Sequence, residues 1–358
     1  MTDRGRALAR TTIALLTAAA LAAACANPED ETPTPAGSGG EQVVATGSPT
    51  TGAGCTLTAY GAEKLDLTDA VVGFSQSEKE ANPFRIAETQ SIRDEAARLG
   101  VKELKVTNAQ SQLSKQISDI QDLLNQGVRF LIVAPLNSDG LEPALQAAAA
   151  KKVPVLTIDR KLNATACKDY VAFLGSNFVE QGKRAADAMI KATGGTGKVA
   201  ILLGSSGNNV TTDRTKGFVD QIAAKAPGIQ IVAQQTGEFA RDKGQQVTEQ
   251  LISSNPEVTG VYAENDEMAL GAVTALTAAG RKPGQDVKIV SIDGTRNAVQ
   301  AIVDGTINAV IESNPRFGPL AFKTAQDFYN GTSIPEDVII SDREYDSANA
   351  AESVASAY

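Results

Sequence analysis

Four short β-branched runs in this chain stop at polar or charged side chains: Val71-Val72-Gly73-Phe74 at Ser75-Gln76, Val155-Leu156-Thr157-Ile158 at Asp159-Arg160, Val261-Tyr262-Ala263 at Glu264-Asn265-Asp266, and Ile289-Val290-Ser291-Ile292 at Asp293-Gly294. Carboxylates, amides and guanidiniums gathered in one place accept and donate hydrogen bonds around the edge of a small polar molecule. In open parallel sheets the ligand crevice lies beyond the carboxyl ends of the strands, so these four ends are where such a molecule would be held. Taken singly, Asp159 or Asp293 would as readily cap a helix or close an Asx turn. Four polar strand ends together point to binding.

What happens to the bound molecule is narrowed by what the chain lacks. Histidine is absent, which removes the Ser-His and Cys-His nucleophiles, the histidine zinc sites and the commonest general base near neutral pH. No cofactor or metal is called for. Asp159 and Asp293 could be imagined as the carboxylate pair of a secreted glycosidase, but the arginines beside them are expected to hold both ionised and leave no general acid. The net charge of -9 argues against nucleic acid, and a DNA-binding repressor would need a helix-turn-helix and a basic patch. Gly194-Gly195-Thr196-Gly197-Lys198-Val199 lacks the Ser or Thr after Lys that a phosphate loop needs and reads as a turn.

The elements that must position these residues follow from periodicity. Strand-like runs at Ala70–Phe74, Glu103–Val106, Phe130–Ala134, Val155–Ile158 and Val171–Leu174 alternate with helical stretches at Phe84–Leu99, Gln110–Gln126 and Leu141–Ala149. Such βαβ alternation predicts a parallel sheet. The pattern resumes after a helix at Val179–Ala192, with strands at Lys198–Leu203, Gln230–Gln234, Gly260–Ala263 and Lys288–Ile292 and helices near Thr215–Lys225, Lys243–Ser253 and Glu267–Ala279. The expected fold class is therefore α/β, with two doubly wound parallel-sheet lobes, and the length after residue 67, roughly 290 residues, exceeds one core.

The N-terminus carries Arg4, Arg6 and Arg10, then an uncharged Ala- and Leu-rich stretch to Ala24, then Cys25. This reads as a secretory signal, too short for a permanent membrane span. From Ala26 to about Leu67 the chain is rich in Pro, Thr, Gly, Ser and acidic residues and reads as a flexible tether. Of the three cysteines, Cys55 and Cys167 remain as an even pair on an oxidising side of the membrane if Cys25 is otherwise modified. A disulfide between them is expected, two separate thiols being the alternative.

Asn82-Pro83-Phe84, Asp159-Arg160, Asp213-Arg214 ahead of Lys216-Gly217-Phe218, Glu238-Phe239 before Lys243-Gly244, Asn265-Asp266-Glu267-Met268-Ala269-Leu270-Gly271 and Ile292-Asp293-Gly294 resemble, in order and spacing, the type I periplasmic sugar-binding proteins that feed ABC transporters, the family of the ribose-binding protein. The likeness runs from Ala70 to about Ser341. Gly73-Phe74-Ser75-Gln76, Arg85-Ile86-Ala87-Glu88-Thr89, Gly140-Leu141-Glu142-Pro143 and Asn314-Pro315 with Gly318-Pro319 look closest to its galactofuranose-binding branch. Ala22-Ala23-Ala24-Cys25 likewise resembles a bacterial lipobox, with Ala22 where that motif most often has Leu.

The resemblance implies a monosaccharide held between two lobes by Asn82, Phe84, Asp159, Arg160, Arg214, Phe239, Asn265, Asp293 and Asn314. Arg85, standing where ribose binders have a second aromatic, and Gln76 at the crevice mouth join them, with Ser75 and Glu78 left between contact and solvated loop. Aromatic planes for the sugar's C–H faces and charged groups for its hydroxyls are what such a ligand needs. It also implies a signal peptide over 1–24, a lipidated Cys25 and tether over 25–67, a first lobe of 68–174 with 315–340, and a second of 175–314 with 341–358. Three hinge segments near Gly175, Asn314 and Ser341 would join the lobes. The expected partners are an ABC permease, or a membrane receptor, and the membrane through a lipid anchor. The expected location is the outer face of the cytoplasmic membrane, with a monomer as the family's usual state.

Overall fold

The structure, a computed structural model, describes residues 42–45 and 54–358. The signal sequence and Cys25 lie outside them. Two six-stranded sheets organise the chain. In the first, β1 (Val71–Gln76), β2 (Glu103–Asn108), β3 (Phe130–Val133), β4 (Val155–Ile158) and β5 (Phe173–Gly175) run in the order 2-1-3-4-5. The second repeats that order with β6 (Thr196–Leu203), β7 (Gly228–Thr236), β8 (Gly260–Ala263), β9 (Lys288–Asp293) and β10 (Ala309–Glu312) as 7-6-8-9-10.

The two remaining strands exchange between the lobes. β11 (Asp337–Ile339) extends the first sheet beside β5, in parallel, and β12 (Glu344–Asp346) extends the second beside β10, antiparallel. The chain therefore passes from one sheet to the other after β5, returns after β10, and passes over again between β11 and β12. Strands β10, β11 and β12 are absent from the sequence reading; each is only three or four residues long and is not followed by a helix of the repeating βα pattern that marked the others, apart from the return helix Gly318–Tyr329 after β10. They are defined by what they pair with, not by a hydrophobic period of their own.

β3, β4 and β8 are buried along their whole length, as parallel strands covered by helices on both faces must be. The helices that reach the cleft start on side-chain caps. Asn82 accepts from Phe84 N at the start of α1 (Pro83–Leu99), Asn177 from Glu180 N at α2 (Phe178–Thr193), Asn208 from Thr211 N at α3 (Asn209–Lys225), and Asn265 from Met268 N at α4 (Asp266–Ala278). The helix expected from Gln110 begins instead at Leu113, because Gln110 and Ser111 take left-handed backbone angles, φ 53° and 62°. α3 starts six residues earlier than its apolar period suggests, drawn out by the Asn208 cap.

The stretch read as tether is partly folded body. Cys55 is buried and bonded to Cys167 across 112 positions of sequence, and its backbone pairs with Ile334. Leu57–Tyr60 forms a helical turn and Leu67 is buried. Even Val44 pairs with Ile340 beside β11. A covalent link and backbone bridges order this polar segment where composition alone cannot. Since a crosslink of that span restricts the unfolded chain by roughly 4–5 kcal/mol, the Cys55→Ser/Cys167→Ser protein should lose about 2–5 kcal/mol in urea unfolding under oxidising conditions. An unchanged midpoint would show that the bond is not what holds the segment.

Candidate functional site

The carboxyl ends of both sheets face one cleft, lined by Glu78, Asn82, Phe84, Arg85, Asp159 and Arg160 from the first lobe and Val210, Arg214, Phe239, Asn265 and Asp293 from the second. Nine of the eleven residues that the sequence nominates are thus brought together. Gln76 and Asn314 are not among the lining residues. Gln76 is spent behind the site, donating to Glu88 Oε2 at 2.8 Å and Thr89 Oγ1 at 3.2 Å and accepting from Ser77 N at 2.9 Å. The Asn314 side chain closes an Asx turn on Arg316 N at 3.0 Å, at the second crossing between the lobes.

Glu78 organises the first-lobe half. Its Oε2 accepts from Arg85 Nε at 3.0 Å and its Oε1 from Arg160 Nη2 at 2.7 Å, so one carboxylate fixes the planes of two guanidiniums. Arg85 Nη1 also reaches Asp159 Oδ2 at 2.7 Å and Glu88 Oε2 at 2.9 Å. Arg160 Nη1 donates to the Leu136 carbonyl at 2.9 Å. Its buried Nε has no hydrogen-bond partner among the described residues, which leaves a donor unspent at the cavity wall. Burial pushes the Glu78 carboxyl up, but Arg160 and Arg85 more than offset this and hold it at about 2. Behind Arg85, burial raises Glu88 to about 7 against the pull of that same arginine.

In the second lobe Arg214 donates through Nη1 to the Glu264 carbonyl at 2.6 Å and through Nε to Gln181 Oε1 at 2.9 Å. Its Nη2 stands 3.7 Å from Asp293 Oδ1, an ion pair without hydrogen-bond contact. Burial therefore dominates at Asp293 and pushes its carboxyl well above the usual range, Arg214 opposing only in part. The pull of the flanking arginine, expected to hold this carboxyl ionised, is thus opposed by burial.

Both aspartates sit on backbone that non-glycine residues rarely adopt, φ 63° at Asp159 and 141° at Asp293. Strain of roughly 1–3 kcal/mol at each is tolerated only when the surroundings fix it. At Asp293 they do so through Asp266, whose carboxylate accepts from Ser291 Oγ, Gly294 N, Thr295 N and Thr295 Oγ1 at 2.6 to 2.9 Å and so clamps the turn that follows.

One phenylalanine from each lobe lines the cavity. Phe239, at φ 58°, lays its ring over Gly204, where a Cβ would come within 1.9 Å of it. Gly204 is not singled out by any motif; its place just beyond β6 is the clue to it. The Phe239 carbonyl accepts from Asn265 Nδ2 at 3.1 Å and more weakly from Asn82 Nδ2 at 3.4 Å, across the cleft. Phe84 carries Arg85 at 5.0 Å from its ring centre and meets the Tyr358 ring edge-on. The lobes also bond directly: Ser138 N to the Gly207 carbonyl at 2.9 Å, Asn209 N to Ser138 Oγ at 3.1 Å and Lys161 N to Asn209 Oδ1 at 3.0 Å.

A two-lobed α/β body with its polar cleft at matched strand ends is also what comparison with known proteins finds. Residues 72–333 match the periplasmic binding protein domain. The chain belongs to the periplasmic binding protein family. It is 34% identical over 269 residues to the galactofuranose-binding protein YtfQ of Escherichia coli, covering 74% of this chain and 84% of that protein. Among solved structures, a Mycobacterium smegmatis protein in complex with β-D-fucofuranose is similar at 36% identity and a TM-score of 0.76, over 79% of this chain and 93% of that one. The binding component of an arabinose ABC transporter from Shewanella sp. ANA-3, bound to α- and β-L-arabinofuranose, is similar at 33% identity and a TM-score of 0.76, over 80% and 94%. Among the described residues of this periplasmic binding protein no helix is long and apolar enough to cross a membrane.

The depressed Glu78 carboxyl sets a pH dependence of folding. A group whose folded value, about 2, lies below its ordinary 4.5 contributes stability that is complete above pH 4.5 and lost as the pH falls toward 2. That contribution is on the order of 3 kcal/mol. Urea unfolding at a series of pH values should show Glu78→Gln losing less stability than the wild type across that window, by about this amount. Parallel curves for the two proteins would remove Glu78 as the anchor of the arginine pair.

Proposed function

We propose that this chain is the extracytoplasmic binding component of an ABC importer and that it captures a neutral monosaccharide in furanose form, galactofuranose or a pentose, between its lobes. The single observation that carries the reading is the composition of the cavity: three arginines, three acidic side chains and two phenylalanines line one cleft between the lobes. Charged groups bond ring-edge hydroxyls, and the phenylalanines offer apolar faces to C–H groups.

Relatives whose structures hold fucofuranose and arabinofuranose support the furanose form. Arg85 supports it from the residue side, because a guanidinium supplies donors for hydroxyls where a second ring would supply only a stacking face. In this reading the chain makes and breaks no bonds. Sugar bridging the two lobes favours the closed arrangement, since only that arrangement contacts the ligand from both sides. The closed face is what a permease then engages, and Cys25, outside the described residues, is the lipid anchor that holds the protein, as a monomer, at the outer face of the cytoplasmic membrane.

Thermal unfolding of the body after Cys25 against D-galactose, L-arabinose, D-fucose, D-ribose, D-xylose and D-fructose tests the reading, since a ligand confined to the folded state raises the melting temperature. The largest shifts are expected with D-galactose and L-arabinose; no shift with any of the panel would overturn it. Calorimetric titration of Asp159→Asn should show a loss of affinity of at least about tenfold, the equivalent of one charged hydrogen bond of roughly 1.5–3 kcal/mol. Asp293→Asn should lose less, because burial already favours the neutral form of that side chain.

A further inference from the structure

Gln181 lies outside the cavity, on the first turn of α2, with its side chain buried. Its amide is fully used. Oε1 accepts from Arg214 Nε at 2.9 Å, and Nε2 donates to the Glu312 carbonyl at 3.2 Å and to Asp342 Oδ2 at 2.8 Å. Glu312 ends β10 at the second crossing between the lobes, and Asp342 lies on the third, between β11 and β12. Asp342 Oδ1 in turn accepts from Ser176 Oγ at 3.1 Å, one residue beyond β5 on the first crossing, and Arg184 Nη1 donates to the Asp342 carbonyl at 2.7 Å. A single side chain thus joins a guanidinium at the cavity wall to the second and third connecting segments directly, and to the first through Asp342.

The arrangement depends on two glycines. A Cβ on Gly182 would lie 2.2 Å from the Arg214 carbonyl, and one on Gly217 would lie 2.1 Å from the Val179 carbonyl. Without side chains there, α2 and α3 approach closely enough for Gln181 to reach Arg214. Nor can the amide turn over: reversed, its NH₂ would face the arginine and its oxygen would face a carbonyl and a carboxyl oxygen.

We propose that Gln181 is a positioning residue that couples the ligand contact at Arg214 to the setting of the hinge, so that the guanidinium reaches its ligand-bound position only together with the closed arrangement of the three crossings. This rests on the reading that Arg214 contacts the sugar. A merely structural amide would affect stability alone; a coupling amide affects affinity, and does so through Arg214.

The test is a double-mutant cycle on sugar affinity, by calorimetric titration of the protein after Cys25 with D-galactose and with L-arabinose. Gln181→Met, which keeps the length and removes all three hydrogen bonds, should weaken binding at least tenfold in the wild-type background and less than twofold in an Arg214→Lys background. Asp342→Ala breaks the hinge arm and leaves Gln181 bonded to Arg214. It should weaken binding severalfold without touching the cavity and should reduce the sugar-dependent compaction seen by small-angle scattering. Asp342→Asn, which still offers Gln181 an acceptor, should restore both. Equal factors in the two backgrounds, or an Asp342→Ala protein that binds and compacts as the wild type does, would overturn the coupling. A wild type that binds neither sugar would overturn the underlying reading along with it.

Discussion

A guanidinium withdrawn from water keeps its charge, and each one must be met by acceptors within its own reach. Arg85, Arg160 and Arg214 are 4%, 2% and 3% exposed, and much of the site is the supply of oxygen to them. Glu78, Glu88 and Asp159 serve Arg85; Glu78 and the Leu136 carbonyl serve Arg160; the Glu264 carbonyl and Gln181 serve Arg214. Such groups contribute little net stability compared with an apolar core, because desolvation offsets most of the attraction, but removing one partner leaves a charge stranded. The cluster therefore acts as a unit.

Meeting that demand requires backbone that ordinary strands and helices do not supply. Carboxylates are brought to the arginines by turning the chain through unusual angles directly after β4 and β9, at Asp159 and Asp293. The helices are brought together by glycines whose missing side chains let backbone touch backbone, Gly182 and Gly217 between α2 and α3 being the case that reaches the site. Groups behind the wall absorb the consequences. Asp266 clamps the turn after β9 and is itself raised to about 6 by burial in spite of four hydrogen bonds. Gln76 holds Glu88, which holds Arg85. Polar residues deep in this protein are thus arranged in layers, each orienting the one nearer the cavity.

The sequence made the strand ends legible because a parallel strand buried on both faces is a continuous apolar run, and its end is where polarity returns. Asp159, Asn265 and Asp293 were visible for that reason. Phe84, Phe239 and Arg214 were not marked by any period and rested on resemblance to a family. What stayed hidden was whatever depends on contact between distant segments. Gln76 looks like a strand-end ligand and is instead a second layer, because its side chain points back at α1. Asn314 follows a strand that only pairing reveals. Gly204 and Gln181 carry no local signal, since the first is defined by a ring from another loop and the second by an arginine more than thirty positions away. The polar segment around Cys55 was read as tether from composition, which is blind to a bond with Cys167.

The pairing of charge inside the cleft also bears on which ligands suit it. Glu78 and Asp159 meet Arg85 and Arg160 within the first lobe, so the acids and bases of that half are matched among themselves. An anionic or cationic ligand would there bring a charge without a partner in reserve, at the desolvation cost any buried ion carries. A neutral polyol brings none. Its hydroxyls both donate and accept, so they can take the donor left free on Arg160 Nε and, at Asp293, meet a carboxyl in either protonation state. On the first-lobe side a preference for neutral, hydroxyl-rich ligands follows from this charge balance, while the choice among sugars falls to the positions of the few groups, Arg85, Arg214 and the two phenylalanines foremost, whose spacing the ring must match.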